Sequence, residues 1–192
     1  MARFGINDEE FIRGKVPMTK AEIRAMVMVK AAVEKTDTVA DIGAGTGSLS
    51  IEAALAAPKG HVYSIERNPE GVDLICANAE KFGCKNITAI EGVAPDAMES
   101  LPLCQVILVG GSGGNLGTIL DAADAHLEAG GRIILTSVTA ETTGEIVAEF
   151  GKRPGYTFEG FQMQINRLRK LGRYHLYNPM SPVFIFTAVK KG

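Results

Sequence analysis

Tryptophan is absent from this chain, aromatic residues make up only 6% of it, and cysteine and histidine occur three times each. These scarcities exclude several classes of function. There is no stripe of interleaved aromatic and basic residues, and a net charge of −2 lacks the broad basic footprint of a nucleic-acid binder. Cys76, Cys84 and Cys104 are widely spaced without metal-ligand spacing, and His61, His126 and His175 form no cluster, so no metal site is expected. The cysteines read as reduced thiols serving as small buried hydrophobes. No apolar run approaches the length of a membrane span, and the opening MARFGINDEE has no signal-peptide apolar region. A cytoplasmic protein without a membrane or nucleic-acid partner is expected.

What is present is ordinary for a globular protein: 192 residues, 46% hydrophobic and 22% charged, enough for one domain over 1–192 with a substantial core. The pattern divides it into an N-terminal segment and helix (1–35), a central core (36–155) and a C-terminal hairpin (156–192). Charge is uneven. From Gly160 onward there are six Lys or Arg and no Asp or Glu, so the acidic excess lies entirely before that point. Such a local basic strip suits a small polyanion or a solvated hairpin.

In PMTKAEIRAM, Thr19 and Glu22 stand at capping-box spacing, and Ile23, Met26 and Val27 share one helical face. From Thr38 the pattern alternates. VADIG, VYSIE, ITAIEG, VILVGG and IILTSV are short β-type runs ending near residues 42, 66, 91, 110 and 138. Helical stretches follow the first two, then NLGTILDAADAHL, and AETTGEIVAEF after the fifth. Strands alternating with helices predict a parallel sheet covered on both faces. After Gly155 the rhythm changes to FEGFQMQI, a basic linker and PVFIFTAVK, which predicts an antiparallel hairpin closing one edge.

The turn after the first strand reads Asp41-Ile42-Gly43-Ala44-Gly45-Thr46-Gly47. Glycines there allow a tight turn and let a ligand meet backbone amides at a helix N-terminus. The nicotinamide spacing G-x-G-x-x-G fails, because the final position from Gly43 is Ser48. Glu66 ends the second strand, 19 residues after Gly47, where a carboxylate can accept from both hydroxyls of a ribose. Glu91 ends the third strand before Gly92-Val93-Ala94. This combination resembles the class I S-adenosylmethionine-dependent methyltransferases. The resemblance implies a Rossmann-like three-layer αβα sandwich with a mostly parallel seven-stranded sheet. It also implies S-adenosyl-L-methionine as cofactor, with Asp41, Gly43, Ala44, Gly45, Thr46 and Gly47 at its amino-acid end. Glu66 would take the ribose, and the turn Glu91, Gly92 and Ala94 the adenine. Acid-rich surroundings suit a cofactor with a sulfonium and an ammonium but no phosphate.

After the fourth strand comes LVGGSGGNLG, where amine methyltransferases usually carry [DN]-P-P-[YF]; amine methylation is disfavoured. Over residues 5 to about 186 the chain resembles the cobalt-precorrin (precorrin) carbon-15 methyltransferase/decarboxylase family of cobalamin biosynthesis. The stretches that carry this are GINDEEFIRGKVPMTKAEIR, DIGAGTG, IERNPE, EGVAPDAM, VGGSGGNL, GGRIILTSVTAET and RLRKLGRYHLYNPMSPVFI. Two departures are Glu66, where Asp is frequent, and the longer lead-in YNPMSPVF. The resemblance implies Thr19 at the cofactor site, a tetrapyrrole fringed with carboxylates, methylation at carbon 15, loss of the carbon-12 acetate carboxylate and a homotetramer. The electron-rich ring needs alignment and exclusion of water more than a base.

Gly110, Gly111, Gly113 and Gly114 then read as clearance for a broad substrate, with Ser112 and Asn115 as hydrogen-bonding groups. Arg167, Arg169 and Lys170, with Arg173, are candidate grips for peripheral carboxylates. Tyr174, His175 and Tyr177 read as hairpin packing or as lining of the same pocket. Other readings stay open: a nucleotide fold using NAD, an RNA or protein methyltransferase, a non-catalytic cofactor-binding module, and a serine hydrolase. The hydrolase would combine Ser112 in G-x-S-x-G with His175 and Asp121 or Asp124.

Overall fold

The computed structural model describes residues 4–192, so the first three residues of the opening segment lie outside the described residues. Strands β1 (Thr38–Ile42), β2 (His61–Glu66), β3 (Ile87–Glu91), β4 (Cys104–Val109) and β5 (Leu127–Ser137) are parallel. With β6 (Tyr156–Met163) and β9 (Val183–Lys190) they form one seven-stranded sheet in the order β3-β2-β1-β4-β5-β9-β6. Strand β9 is antiparallel to both neighbours, so the expected C-terminal pair does close one edge. The region expected to be a linker is instead a second hairpin, β7 (Asn166–Leu171) and β8 (Tyr174–Pro179), paired only with itself. Gly172, at φ 59°, makes its turn.

The period-2 alternation of the strands sorts side chains onto two faces. Ala40, Ile42, Ile107, Val109, Ile133 and Leu135 pack on one face with helices α4 (Leu116–His126) and α5 (Ala140–Gly151). Val39, Val106, Leu108 and Ile134 point the other way, against α1 (Ala21–Ala31) and α2 (Ser48–Ala56). Helix α3 (Pro69–Phe82) completes that layer, with Asn68 capping Glu70 N, Pro69 in the first turn and Gly83 ending it in the left-handed region. The three-layer αβα sandwich follows. Of the cysteines only Cys104 is buried, where burial pushes its thiol up to about 12; Cys84 is half-buried and Cys76 exposed, against expectation.

Helix α1 starts differently from its sequence signature. Lys20, not Thr19, occupies the cap position, and its own side chain makes no capping hydrogen bond. Glu22 faces another partner, described below. One turn further, Arg24 is completely buried. Its Nε donates to Glu52 Oε1 at 3.0 Å and its Nη1 to Asp8 Oδ1 at 3.0 Å, while the carbonyls of Thr19 and Ile6 also accept from it. Glu52 accepts in addition from the amides of Gly5 and Ile6 at 3.0 and 3.1 Å, and Asp8 from Ala21 N at 3.0 Å. The opening segment is thereby strapped onto α2. Farther along, Asn78 holds both the amide and the carbonyl of Ile12, and Glu70 accepts from Lys15 N.

Replacing Arg24 with Met leaves two buried carboxylates without their counter-charge. The expected loss is about 3–5 kcal/mol of unfolding free energy, to be read from urea denaturation.

Candidate active site

The carboxyl ends of the parallel strands open into a cleft of about 760 Å³, the position where open α/β sheets bind ligands. Its base is the turn after β1. Gly43, Gly45 and Gly47 all have positive φ, at 72°, 57° and 74°, which residues with side chains avoid. Space is as limiting as conformation. A Cβ at Gly43 would stand 3.0 Å from the Gly111 carbonyl oxygen, and one at Gly45 2.9 Å from that of Pro17. The turn is thus clasped between the loop after β4 and the strapped N-terminal segment, which roofs the cleft with Val16–Lys20. The amides of Gly43 and Ala44 donate to Ile65 O at 2.9 and 3.0 Å, locking the turn to β2.

Two acids lie in the wall. Asp41 is completely buried; its Oδ2 accepts from Ser50 Oγ at 2.5 Å, but its Oδ1 has no partner. Burial pushes this carboxyl up to about 6, with the Ser50 hydrogen bond opposing and the nearby Glu66 charge adding to the rise. A desolvated carboxylate with an orphaned oxygen calls for a cation in the cleft. Glu66 accepts from Gly45 N at 2.8 Å and from Asn68 N at 2.9 Å. Each of its oxygens keeps a further lone pair for a ligand.

Other expected residues separate into those brought to the cleft and those left out. Thr19, Asp41, Gly43, Ala44, Gly45, Glu66, Gly92 and Ala94 line it. Thr46 is buried behind the turn with its hydroxyl unpaired, and Gly47 packs against Ile75. Glu91 is exposed and outside the lining, although it stands in register with Glu66. It ends its strand as expected, but its exposed side chain is not part of the cleft wall.

The glycine loop after β4 is also sorted by the structure. Gly110, Gly111, Ser112, Gly113 and Asn115 line the cleft; Gly114 lines only an adjoining hollow of about 350 Å³. Gly110 N donates to Ile42 O at 3.0 Å, and a Cβ there would lie 3.2 Å from Gly43 O. Gly113 and Gly114 have φ of 57° and 89° and serve the turn itself. A Cβ at Gly111 would meet nothing within 4 Å and its φ is not positive, so of the four glycines of this loop it alone is required neither by crowding nor by backbone conformation.

The basic strip is not in the cleft. Arg167 makes a bidentate pair with Glu22, at 2.8 and 2.5 Å, and lies 3.6 Å from Asp8. Its guanidinium holds the Glu22 carboxyl below its ordinary value. Arg169 and Lys170 are exposed on the β7–β8 arm, as are Tyr174, His175 and Tyr177, none of them lining the cleft. Packing of these three was expected and does not occur within the chain. The hydrolase constellation is likewise dispersed: Asp121 pairs with Arg153, Asp124 accepts from Tyr156 at 2.6 Å, and His175 is out on the arm. Sequence reasoning missed Arg24, Asp8 and Glu52, as well as Lys20 and Arg67, the two cations of the cleft lining. A charge inside the otherwise apolar LSIEAALAA was the available signal for the first group.

Strand order, an antiparallel strand inserted beside β5, and an acid-flanked glycine turn at the carboxyl edge together define a class I methyltransferase fold. Within that class, residues 10–190 match the family model described as the precorrin methyltransferase domain, and the chain belongs to that family. It is 37% identical over 187 residues to the cobalt-precorrin-6B C(15)-methyltransferase (decarboxylating) of Salmonella typhimurium, covering 97% of this chain and 96% of the relative. A crystal structure of precorrin-6y C5,15-methyltransferase from Geobacter metallireducens superposes with a TM-score of 0.91 at 36% identity, over 97% of each chain. That of the precorrin 8w decarboxylase from Methanobacterium thermoautotrophicum gives 0.90 at 35%, covering 95% of this chain and 98% of the other.

The raised Asp41 carboxyl makes a signed prediction for the ligand-free protein. Its contribution to stability is full below its ordinary 3.8 and is lost as pH rises through about 6. The difference in unfolding free energy between wild type and Asp41→Asn should therefore change by roughly 3 kcal/mol across that window, wild type falling. Urea denaturation at a series of pH values checks it; a flat difference refutes the burial argument.

Proposed function

We propose that this chain is an S-adenosylmethionine-dependent enzyme of cobalamin biosynthesis. It methylates a cobalt-precorrin at carbon 15 and removes the carboxylate of the carbon-12 acetate. The observation that carries the reading is the orphaned Asp41 oxygen in a cleft whose far wall, at Gly111, is bare of side chains. Asp41 fits the cationic amino-acid end of the cofactor, with Thr19 and Gly43–Gly45 beside it. Glu66 fits the ribose, and Gly92–Ala94 the adenine. When bound, S-adenosylmethionine supplies a methyl group activated by its sulfonium.

The residues of the chain do the positioning. Four ionisable side chains line the cleft: Glu66 is tied to the first turn through Gly45 N, Asp41 accepts from Ser50 on α2 with one oxygen, and Lys20 and Arg67 are cations. With Asp41 assigned to the cationic end of the cofactor and Glu66 to its ribose, neither carboxylate serves the substrate as a base, which suits a macrocycle that supplies its own electrons. The roof at Val16–Thr19 excludes water from the cofactor side. For the carboxylate that leaves as carbon dioxide, the conjugated ring is the electron sink, and apolar surroundings favour its departure.

The protein is cytoplasmic and a homotetramer on this reading, with neither nucleic acid nor membrane as partner. Leu168, Leu171 and Tyr177, at 65%, 56% and 78% exposure on the β7–β8 arm, support assembly through that arm. Sedimentation should then give a tetramer for wild type and smaller species for Leu168→Glu.

Anaerobic incubation with S-adenosylmethionine and a cobalt-precorrin, read by mass spectrometry, should show gain of a methyl group with loss of carbon dioxide. An unchanged mass refutes the assignment. Gly111→Val should abolish that turnover while calorimetry still finds the cofactor bound; loss of both would make the turn purely structural.

A further inference from the structure

Of the two cations in the cleft, Lys20 belongs to the roof beside Thr19 and lies 3.9 Å from Asp8. Arg67 is different. It follows Glu66 at the end of β2, is exposed, and lines the same cleft. No acceptor or carboxylate partners its guanidinium among the described residues, and the neighbouring Glu66 is engaged by the amides of Gly45 and Asn68. Its side chain crosses to the loop after β4, so that a Cβ at Gly113 would stand 3.4 Å from Arg67 Nη1. The guanidinium therefore stands on the glycine loop itself, next to the opening at Gly111. The basic residues of the β7–β8 arm hold no such position.

We propose that Arg67 is the residue that recognises a peripheral carboxylate of the substrate and so fixes how the macrocycle lies on the glycine loop. This rests on the tetrapyrrole reading above. A guanidinium presents a planar fork of donors matched to a carboxylate, and unlike a lysine it holds that group in one orientation. The carboxylate of the cofactor belongs to its amino-acid end, assigned to the first turn beside Asp41 and Thr19, and its ribose is assigned to Glu66, so the position of Arg67 is not explained by the cofactor. Side-chain-free residues at 111 and 113 leave both the ring and the guanidinium room to meet.

The test uses the full chain loaded with S-adenosylhomocysteine, which cannot react, and follows tetrapyrrole binding by absorbance. Arg67→Ala and Arg67→Gln should weaken tetrapyrrole binding on the order of ten- to a hundredfold, with Arg67→Lys recovering part of it. Calorimetry should find cofactor affinity unchanged in all three. Methyl-esterifying the peripheral carboxylates should weaken binding to wild type but make little further difference to Arg67→Ala. A fall in cofactor affinity, as stacking of Arg67 on the adenine would produce, overturns the proposal. Equal sensitivity of wild type and variant to esterification overturns it too. Wild type that transfers no methyl to the tetrapyrrole removes the underlying reading and the proposal with it. Wild type that turns over while Arg67→Ala binds equally well removes the proposal alone.

Discussion

A guanidinium without access to water holds the working end of this molecule together. Arg24 lies between Glu52 on α2 and Asp8 on the opening segment, and closes on two backbone carbonyls as well. Because α2 also begins at the glycine turn, the roof and the base of the cleft share one anchor. Desolvating three charges is costly, and the arrangement is favourable only when each is paired and hydrogen-bonded. Here they are, down to the amides of Gly5, Ile6 and Ala21 on the carboxylates. The roof is thereby placed before any ligand arrives, with Asn78 and Glu70 as further clips.

Asp41 is the counterpoint to that satisfied cluster. Its carboxyl is buried and only one of its two oxygens is served, an electrostatic imbalance that a cationic ligand would relieve. This selects against phosphate-bearing cofactors, which would meet two acids at the first turn. It fits a ligand bearing an ammonium and a sulfonium.

Division of labour follows from where the charges ended up. Basic residues of the β7–β8 arm are engaged with α1 or exposed to solvent, beside exposed leucines and tyrosines of the same arm. The cleft keeps two cations, and its wall at Gly111 is open. A flat substrate needs such a wall more than it needs a base.

Much of the fold was legible because it depends on near neighbours. Short β-type runs marked β1 to β5, a helix-prone stretch after the second of them marked α3, and three glycines marked the turn. The acids at strand ends were found for the same reason, although periodicity could not say that Glu66 lines the cleft and Glu91 does not. Thr19 and Glu22 show the limit: their spacing fits a capping box, yet Glu22 binds Arg167, 145 residues away. The second hairpin was read as a linker because, among its side chains, only Arg167 gains burial from the rest of the chain, so no alternation marks it. By itself the sequence determined the order of the elements from α1 to α5, the glycine turn and the family. Only the tertiary structure decided which cation meets which acid, because such pairs join segments far apart in the chain and a charge goes to whichever partner the packing brings within reach.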